Sequence, residues 1–463
     1  MAEKFKFTPS APSSLKEQYD VVIIGSGGAG LVSALQAREL GLRPVILEKM
    51  PTVGGNTMRA SSGMNAAETN IQLREGIVDS FAEFYQETYQ GGGRLNDPEL
   101  LNYFTTHSGQ AIDWLRSHGI ILNDLTITGG MKKKRAHRPK STAPIGSFLV
   151  NNLLWLLDQI KVPIFTQATV TELLKDDASK IKGVKVQIAG ESKTIFAPAV
   201  ILATGGFGAS KQLLKRYRPD LLAYKTTNQV GATGDGIILA EHIGAQVLQM
   251  EMIQIHPTVQ QDTPHTYLIG EAVRGEGAIL VDQQGVRFTN ELGTRKIVSE
   301  QITALPEQAA YLIFDHGVKE RVKAIDFYAS KGLVVSAATP SELAKKLQLD
   351  PTVLADTLLQ WNTAVETKKD VKFGRTTGMQ RKLEKAPYYA IHVAPAIHYT
   401  MGGLHINEKA QVLDQAGNII AGLFAAGEVT GGLHGNNRIG GNSIAETVVF
   451  GRQAGQQAAV YLA

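Results

Sequence analysis

YDVVIIGSGGAGLVSALQARELGLRPVILEK, Tyr19 to Lys49, decides the reading of this 463-residue chain. Val21 to Ile24, with Tyr19 as run-in, form a short apolar β-forming run that stops at a glycine cluster. Leu31, Ala34, Leu35 and Leu40 then recur at helical spacing, and Val45 to Leu47 close a strand, helix and strand unit of about 30 residues. Gly25, Gly27 and Gly30 stand as G-x-G-x-x-G at the first strand-to-helix turn, with Ser26, Gly28 and Ala29 between them. In that arrangement the first glycine permits the tight turn, the second lets backbone approach a pyrophosphate, and the third brings helix and strand together. The helix start adds free N–H groups and a positive dipole end. Glu48, followed by Lys49, ends the second strand about 20 residues later, where a carboxylate accepts from ribose hydroxyls. A bare structural turn would explain the glycines alone; the ordered strand, glycines, helix, strand and acid point to a dinucleotide site.

Working outward, GGNTMRASSGMN, Gly54 to Asn65, is too rich in small residues for an ordinary helix and suits backbone laid against a flat ring system. AVILATGGFG (Ala199 to Gly208) and GLFAAGEVTGG (Gly422 to Gly432) each read as a short buried strand ending in glycines. Ligands of open α/β sheets lie beyond the carboxyl ends of the strands. Three such ends therefore suggest one large ligand held from both ends of the sequence, with three unrelated turns as the alternative. HGNNRIGGNS, His434 to Ser443, sets Arg438 among glycines and asparagines with no acid nearby. Between Met250 and Pro395 glycine thins out and helical segments appear, including Ser341 to Leu349 and the proline-led Pro351 to Glu366. This texture fits a discontinuous ligand-binding domain with a cap inserted before its last strand.

Composition narrows the chemistry. With no cysteine, disulfides, thiolate metal sites, Fe–S clusters and thiol nucleophiles are excluded, and no metal site is expected. Redox chemistry would come from a bound organic cofactor. A net charge of +4 argues weakly for nucleic acid, and the basic run KKKRAHR (Lys132 to Arg138) is expected to be a solvated loop. No apolar run approaches the roughly 18 residues of a membrane span. The polar, Pro- and Ser-containing residues 1–14 read as a flexible tail, and the protein as cytoplasmic.

Taken together, YDVVIIGSGGAG with Glu48 and Lys49, GGNTMRASSGMN, ATGGF, GATGDG (Gly231 to Gly236), IHPT (Ile255 to Thr258), EAVRGEGAILVDQQGVRFTNE (Glu271 to Glu291), FGR (Phe373 to Arg375), HYTMGG (His398 to Gly403), AAGEVTGGLHG and NRIGGNSI resemble the soluble fumarate reductases of flavocytochrome c type. These are distant relatives of the succinate dehydrogenase flavoproteins. The resemblance implies an α/β fold: a Rossmann-like FAD-binding domain over 15–250 and 400–463, and an inserted α+β capping domain over 251–399 that clamps substrate. It places FAD against Gly25, Ser26, Gly27, Gly28, Ala29 and Gly30, Glu48 and Lys49, and the loop residues Gly54, Gly55, Asn56, Thr57, Ser62, Gly63 and Met64. The remaining cofactor contacts it implies are Val170, Ala203, Thr204, Gly205, Asp235, Tyr399, Gly427, Glu428, Arg438, Gly441, Asn442, Ser443 and Ile444. Relatives with covalent flavin carry a histidine where this chain has Asn56, so the FAD is expected to be non-covalent.

For the reaction, the resemblance implies fumarate as substrate and succinate as product, with Arg295 as proton donor and Arg274 and Glu271 as its relay. Glu271 and Arg274 stand three apart, a spacing that puts them on one helical face. His256, His398 and Arg438 would bind the substrate carboxylates. Two positions depart from the family pattern: Gly270 replaces a threonine that contacts substrate, and Tyr399 replaces the second histidine of HHTMGG. A larger 2-enoate, of urocanate or arylacrylate type, and a flavin dehydrogenase or oxidase working in the oxidative direction are the alternatives. The electron donor would be a reduced flavin, a nicotinamide cofactor or a partner protein.

Overall fold

The computed structural model describes residues 5–140 and 143–463. At its centre β1 (Val21–Ile24) is fully buried and pairs in parallel on both sides, Val21 opposite Pro44 and Ala199. Its partners are β2 (Pro44–Leu47) and the Ala199–Leu202 strand, and between β1 and β2 runs α1 (Gly28–Glu39). Ile164–Phe165 adds in parallel beyond β2. On the other side Ile419–Ala425 adds in parallel to Ala199–Leu202, and the short Gln411–Leu413 strand closes that edge antiparallel. Continuous apolar runs such as VVII, PVIL and AVIL belong in a sheet covered on both faces, which is why none of them alternates. The last strand comes from near the C-terminus, so the two ends of the chain build one sheet.

A second six-stranded sheet is antiparallel and belongs to the inserted segment. Its main strands are β3 (Ile253–Gln260) and the long β4 (Tyr388–Thr400), which pairs with β3 at one end and with Ala310–Asp315 at the other. Pro257 and Pro395 sit where β3 and β4 lose register, between the pairs His256–Ala396 and Val259–Ala394. Proline offers no N–H to a ladder, so it fits only at such an irregularity or an edge. The buried apolar residues fall into two clusters, the larger around the parallel sheet and the smaller drawn entirely from residues 269–393. Each cluster has its own core, and β4 runs between them.

Two expectations meet a different structure. Residues 1–4 of the expected tail lie outside the described residues, but Phe5 and Phe7 pack against the larger core and the Ser10 N–H donates to the Ile164 carbonyl at 2.8 Å. KKKRAHR is solvated only at its lysines. Arg135 is fully buried between Asp79 (2.6 Å) and Glu87 (2.6 Å), and His137 and Arg138 are buried on a strand pairing with Met64–Asn65 and Asp124–Thr126. Acids 48 and 56 positions upstream neutralise Arg135, a pairing that local charge counting misses.

Candidate active site

One cavity of about 760 Å³ lies between the two cores, within the range of about 300–1,000 Å³ usual for small-molecule sites. Its floor is the glycine turn. Gly25 has φ +104°, and a β-carbon there would lie 2.4 Å from the Ala203 carbonyl oxygen. A β-carbon on Gly30 would come within 2.0 Å of the Gly25 oxygen, so the turn and the start of α1 touch through backbone. At Gly27 the nearest atom to a β-carbon would be Thr57 Oγ1 at 3.9 Å, leaving open space on the cavity side. The wall continues through Glu48, Lys49, Gly55, Asn56, Thr57, Ser62 and Val170 to Ala203, Thr204, Gly205 and Asp235. Gly427, Glu428, Ser443 and Ile444 close the far side, the last two at the start of α4 (Asn442–Leu462), whose N-cap is Gly441. An open glycine turn, two helix N-termini and a long cavity suit a dinucleotide carrying a ring system.

Several expected contacts are committed to the protein. Both Glu48 oxygens already accept: Oε2 from the Ser26 N–H (2.9 Å) and hydroxyl (2.6 Å), and Oε1 from the Met50 N–H (2.8 Å). Lys49 pairs with Asp235 at 2.6 Å, so these two charges neutralise each other at the cavity edge. Asn56 is held by Asn228 (2.6 Å) and the Gln229 N–H (2.8 Å). Ser26, Gly30, Gly54, Gly63, Met64, Arg274, Gly441 and Asn442 stand behind the lining rather than in it. Of these Asn442 shares a 2.7 Å hydrogen bond with Asn65, tying the α4 N-terminus to the Gly54–Asn65 loop. Glu428 takes the Thr400 N–H at 3.0 Å, and burial pushes its carboxyl up to about 7.

At the other end of the cavity five basic groups converge from distant stretches. His256 comes from β3, His398 from β4, and Arg274 from the short helix α2 (Glu271–Gly275). Arg295 opens α3 (Arg295–Thr303), and Arg438 lies on the loop before α4. Arg295 Nε donates to Glu271 Oε1 at 2.5 Å, and Arg274 Nη2 lies 3.9 Å from the same oxygen. Arg438 lies over the Tyr399 ring, 4.5 Å from its centroid, and among the described residues its guanidinium donates only to the neighbouring Ile439 carbonyl. Tyr399 is fixed in turn through its hydroxyl, which donates to Glu446 at 2.5 Å. The Thr258 N–H donates to His256 Nδ1, so the ring proton sits on Nε2, and that atom is buried with no partner among the described residues, as is Arg438 Nε. The rings of His256 and His398 are 5.2 Å apart.

The electrostatics follow from burial. Among the described residues Glu271 is the one carboxylate within 4 Å of any of these three buried guanidiniums, while Glu428 acts on Arg438 and Glu291 on Arg274 from farther off. Burial lowers Arg274 and Arg438 to about 10, which leaves both charged at neutral pH. His256 and His398 are held well below the usual histidine range, first by burial and then by Arg295, and are therefore neutral. Burial pushes the Glu271 carboxyl up, but Arg295 and Arg274 together bring it below its ordinary value. A buried cation without an acid is costly unless a ligand supplies the anion.

Gln254 was not among the expected site residues. Its Oε1 accepts from Arg295 Nη1 at 3.0 Å while Nε2 donates to the Arg438 carbonyl at 2.8 Å, joining the two arginine-bearing segments. A polar amide two residues before His256 in an apolar strand was the available signal. Ser61, from the Gly54–Asn65 loop, Arg138, from the end of the basic run, and Tyr328, which no motif marks, also line the cavity.

Residues 20–444 match the FAD binding domain family. The chain is 48% identical over 451 residues to the NADH:fumarate oxidoreductase of Klebsiella pneumoniae (strain 342), covering 97% of this chain and 48% of that protein. It thus spans about half the length of that relative. It is 40% identical over 452 residues to a fumarate reductase (cytochrome) of Shewanella frigidimarina, covering 97% of this chain and 78% of the relative. Its fold is similar to the open conformation of a flavocytochrome c3 fumarate reductase, with a TM-score of 0.81, 38% identity, and 97% and 79% of the two chains covered. No helix among the described residues is long and apolar enough to cross a membrane. The chain belongs to the FAD-binding oxidoreductase family that contains the fumarate reductase flavoproteins, and FAD is its cofactor.

Proposed function

We propose that this chain reduces the C=C bond of fumarate to succinate, and that its FAD is bound without a covalent link, Asn56 standing where a covalent attachment would need histidine. The observation that carries the reading is the buried group of three guanidiniums in which Arg438 has no ion-pair partner among the described residues, with unpartnered donors on His256 and Arg438, at the end of the cavity. Once reduced by an external electron donor, bound FAD would supply a hydride to one alkene carbon. Arg438, His256 and His398 hold the two carboxylates, polarising the conjugated one and excluding water. The Arg438 guanidinium is suited to a bidentate grip because its donors lack an acid of their own. Arg295 delivers a proton to the second alkene carbon. Guanidinium gives up a proton reluctantly, so Glu271, in contact with Arg295 and adjacent to Arg274, relays to it a replacement proton that comes ultimately from solvent. Hydride and proton together account for the two electrons and two hydrogens gained by the product.

The test is steady-state reduction of a panel of 2-enoates by the FAD-loaded protein with a dye donor, wild type beside Arg295→Ala. Fumarate turnover that drops by about 10²–10⁴-fold in the variant, with FAD content unchanged, is the expected result. Equal rates would remove Arg295 from the mechanism, and an inert wild type would overturn the reaction itself. A larger 2-enoate is the second reading: Gly270 brings no side chain to the cavity wall, although a β-carbon there would already touch the Ser61 and Tyr328 hydroxyls at 3.6 Å.

A further inference from the structure

Gly270 precedes Glu271, and the space in front of it is bounded by two hydroxyl groups from elsewhere in the chain. A β-carbon on Gly270 would lie 3.6 Å from Ser61 Oγ and 3.6 Å from the Tyr328 hydroxyl, with no other atom within 4 Å apart from its own chain neighbours. Tyr328 belongs to the Ala324–Ser330 helix of the capping segment, and Ser61 to the Gly54–Asn65 loop. Both line the cavity, and Tyr328 is only 4% exposed. The Gly270 N–H donates to the Tyr328 oxygen at 3.1 Å. That bond uses the hydroxyl as an acceptor, so its proton is free to be donated into the cavity. A buried tyrosine hydroxyl normally finds an acceptor; here the open side is the cavity. Arg138 lines the same stretch of wall, its Nη2 donating to the Ser61 carbonyl at 2.6 Å, which fixes the backbone that carries Ser61.

We propose that Tyr328, with Ser61 beside it, is a substrate-binding residue that donates to a carboxylate at the Gly270 end of the site. The proposal rests on the reading of the substrate as a dicarboxylate and deepens it. Residue 270 brings no side chain, so the hydroxyls reach the substrate from either side of its backbone, one from the smaller core and one from the Gly54–Asn65 loop. A dianion then has a dedicated donor at each end: Arg438 at one, and the Tyr328 and Ser61 pair at the other. A 2-enoate bearing an apolar group in place of the second carboxylate would leave the Tyr328 proton unpaired, a penalty that selects against it. The two hydroxyls thus make the gap at Gly270 a polar subsite for a second carboxylate rather than room for a hydrocarbon ring.

Tyr328→Phe removes the donor and keeps the ring in the core. With the FAD-loaded protein and a dye donor, KM for fumarate is expected to rise about 10- to 100-fold in this variant with kcat little changed. Binding of crotonate, a monoanionic 2-enoate, followed through the flavin absorbance of the oxidised protein, is expected to stay within about threefold of wild type. The double variant Tyr328→Phe/Gly270→Ser, which puts a hydroxyl into the same gap, should recover most of the fumarate affinity. Wild-type turnover of fumarate with an unchanged KM in Tyr328→Phe would overturn the role of Tyr328 alone. An equal loss for fumarate and crotonate would also overturn it, since a merely structural tyrosine would weaken both. A wild type that does not reduce fumarate would overturn the proposed reaction together with this inference.

Discussion

Arg438 stands in sequence surroundings that already point to its use. An arginine among glycines and asparagines, with no acid nearby, is unusual because an unpaired guanidinium is normally left in water. Here it is 3% exposed, stacked on Tyr399, with Nε unpartnered. The stacking depends on a planar cation, as does a bidentate grip on carboxylate. Arg438→Ala is therefore expected to lower kcat/KM for fumarate by about 10²–10³-fold. Arg438→Lys should restore only a small part of it, because an ammonium is a point charge. Steady-state kinetics on the two variants at equal FAD content check this, and full recovery with lysine would show that charge alone is used. The Tyr399 platform was less legible: the sequence marked the position as a departure from HHTMGG but could not show that its hydroxyl is spent on Glu446.

At the scale of elements, the basic run Lys132 to Arg138 is the instructive case. Local composition suggested a solvated loop, yet the second half is a buried strand, because Asp79 and Glu87 arrive from elsewhere to pair Arg135. Beside it, His137 bonds the Arg135 carbonyl at 2.7 Å and Thr69 at 2.8 Å, and burial lowers its imidazole to about 4. An unfolded histidine titrates near 6.5. Between those values the unfolded chain takes up a proton that the folded one refuses, so stability present above pH 6.5 is lost as pH falls toward 4. The span corresponds to roughly 3 kcal/mol for this one group. His256 and His398, shifted in the same direction, add to the trend. Urea-denaturation midpoints at pH 7 and 4.5 are expected to differ less for His137→Gln than for wild type; an identical pH dependence would assign the acid lability to other groups.

For the whole molecule, the decisive quantity is the charge enclosed between the two cores. Among the described residues Arg274, Arg295 and Arg438 have only Glu271 at ion-pair distance, with Glu428 and Glu291 acting from farther off, and neither histidine carries charge in the free protein, so the site is electropositive in a buried setting that screens charge poorly. Any guest that supplies two negative charges stabilises the folded state by mass action, by about 2.7 kcal/mol at a hundredfold excess over its dissociation constant. Succinate is therefore expected to raise the melting temperature of the FAD-loaded protein, and the neutral diamide of succinate at the same concentration to leave it unchanged. The shift should vanish in Arg438→Ala. Equal shifts with acid and diamide would mean that shape rather than charge governs binding.

The sequence by itself determined the nucleotide fold and the identity of the basic groups. Strand, glycine turn, helix and strand are local signals: Gly30 is required where its helix touches the Gly25 backbone within Tyr19–Lys49, and apolar runs without alternation dictate a sheet covered on both faces. His256, Glu271, Arg274, Arg295, His398 and Arg438 were legible because motifs flank them. The tertiary structure alone decided which groups meet. Gln254 bridges Arg295 to the Arg438 carbonyl, and Tyr328 and Ser61 flank Gly270, across separations of 41 to 267 positions that no local pattern encodes. The physical reason is that a turn or a strand is fixed by interactions between near neighbours, whereas a buried polar group is satisfied by whatever the packing of two cores brings to it.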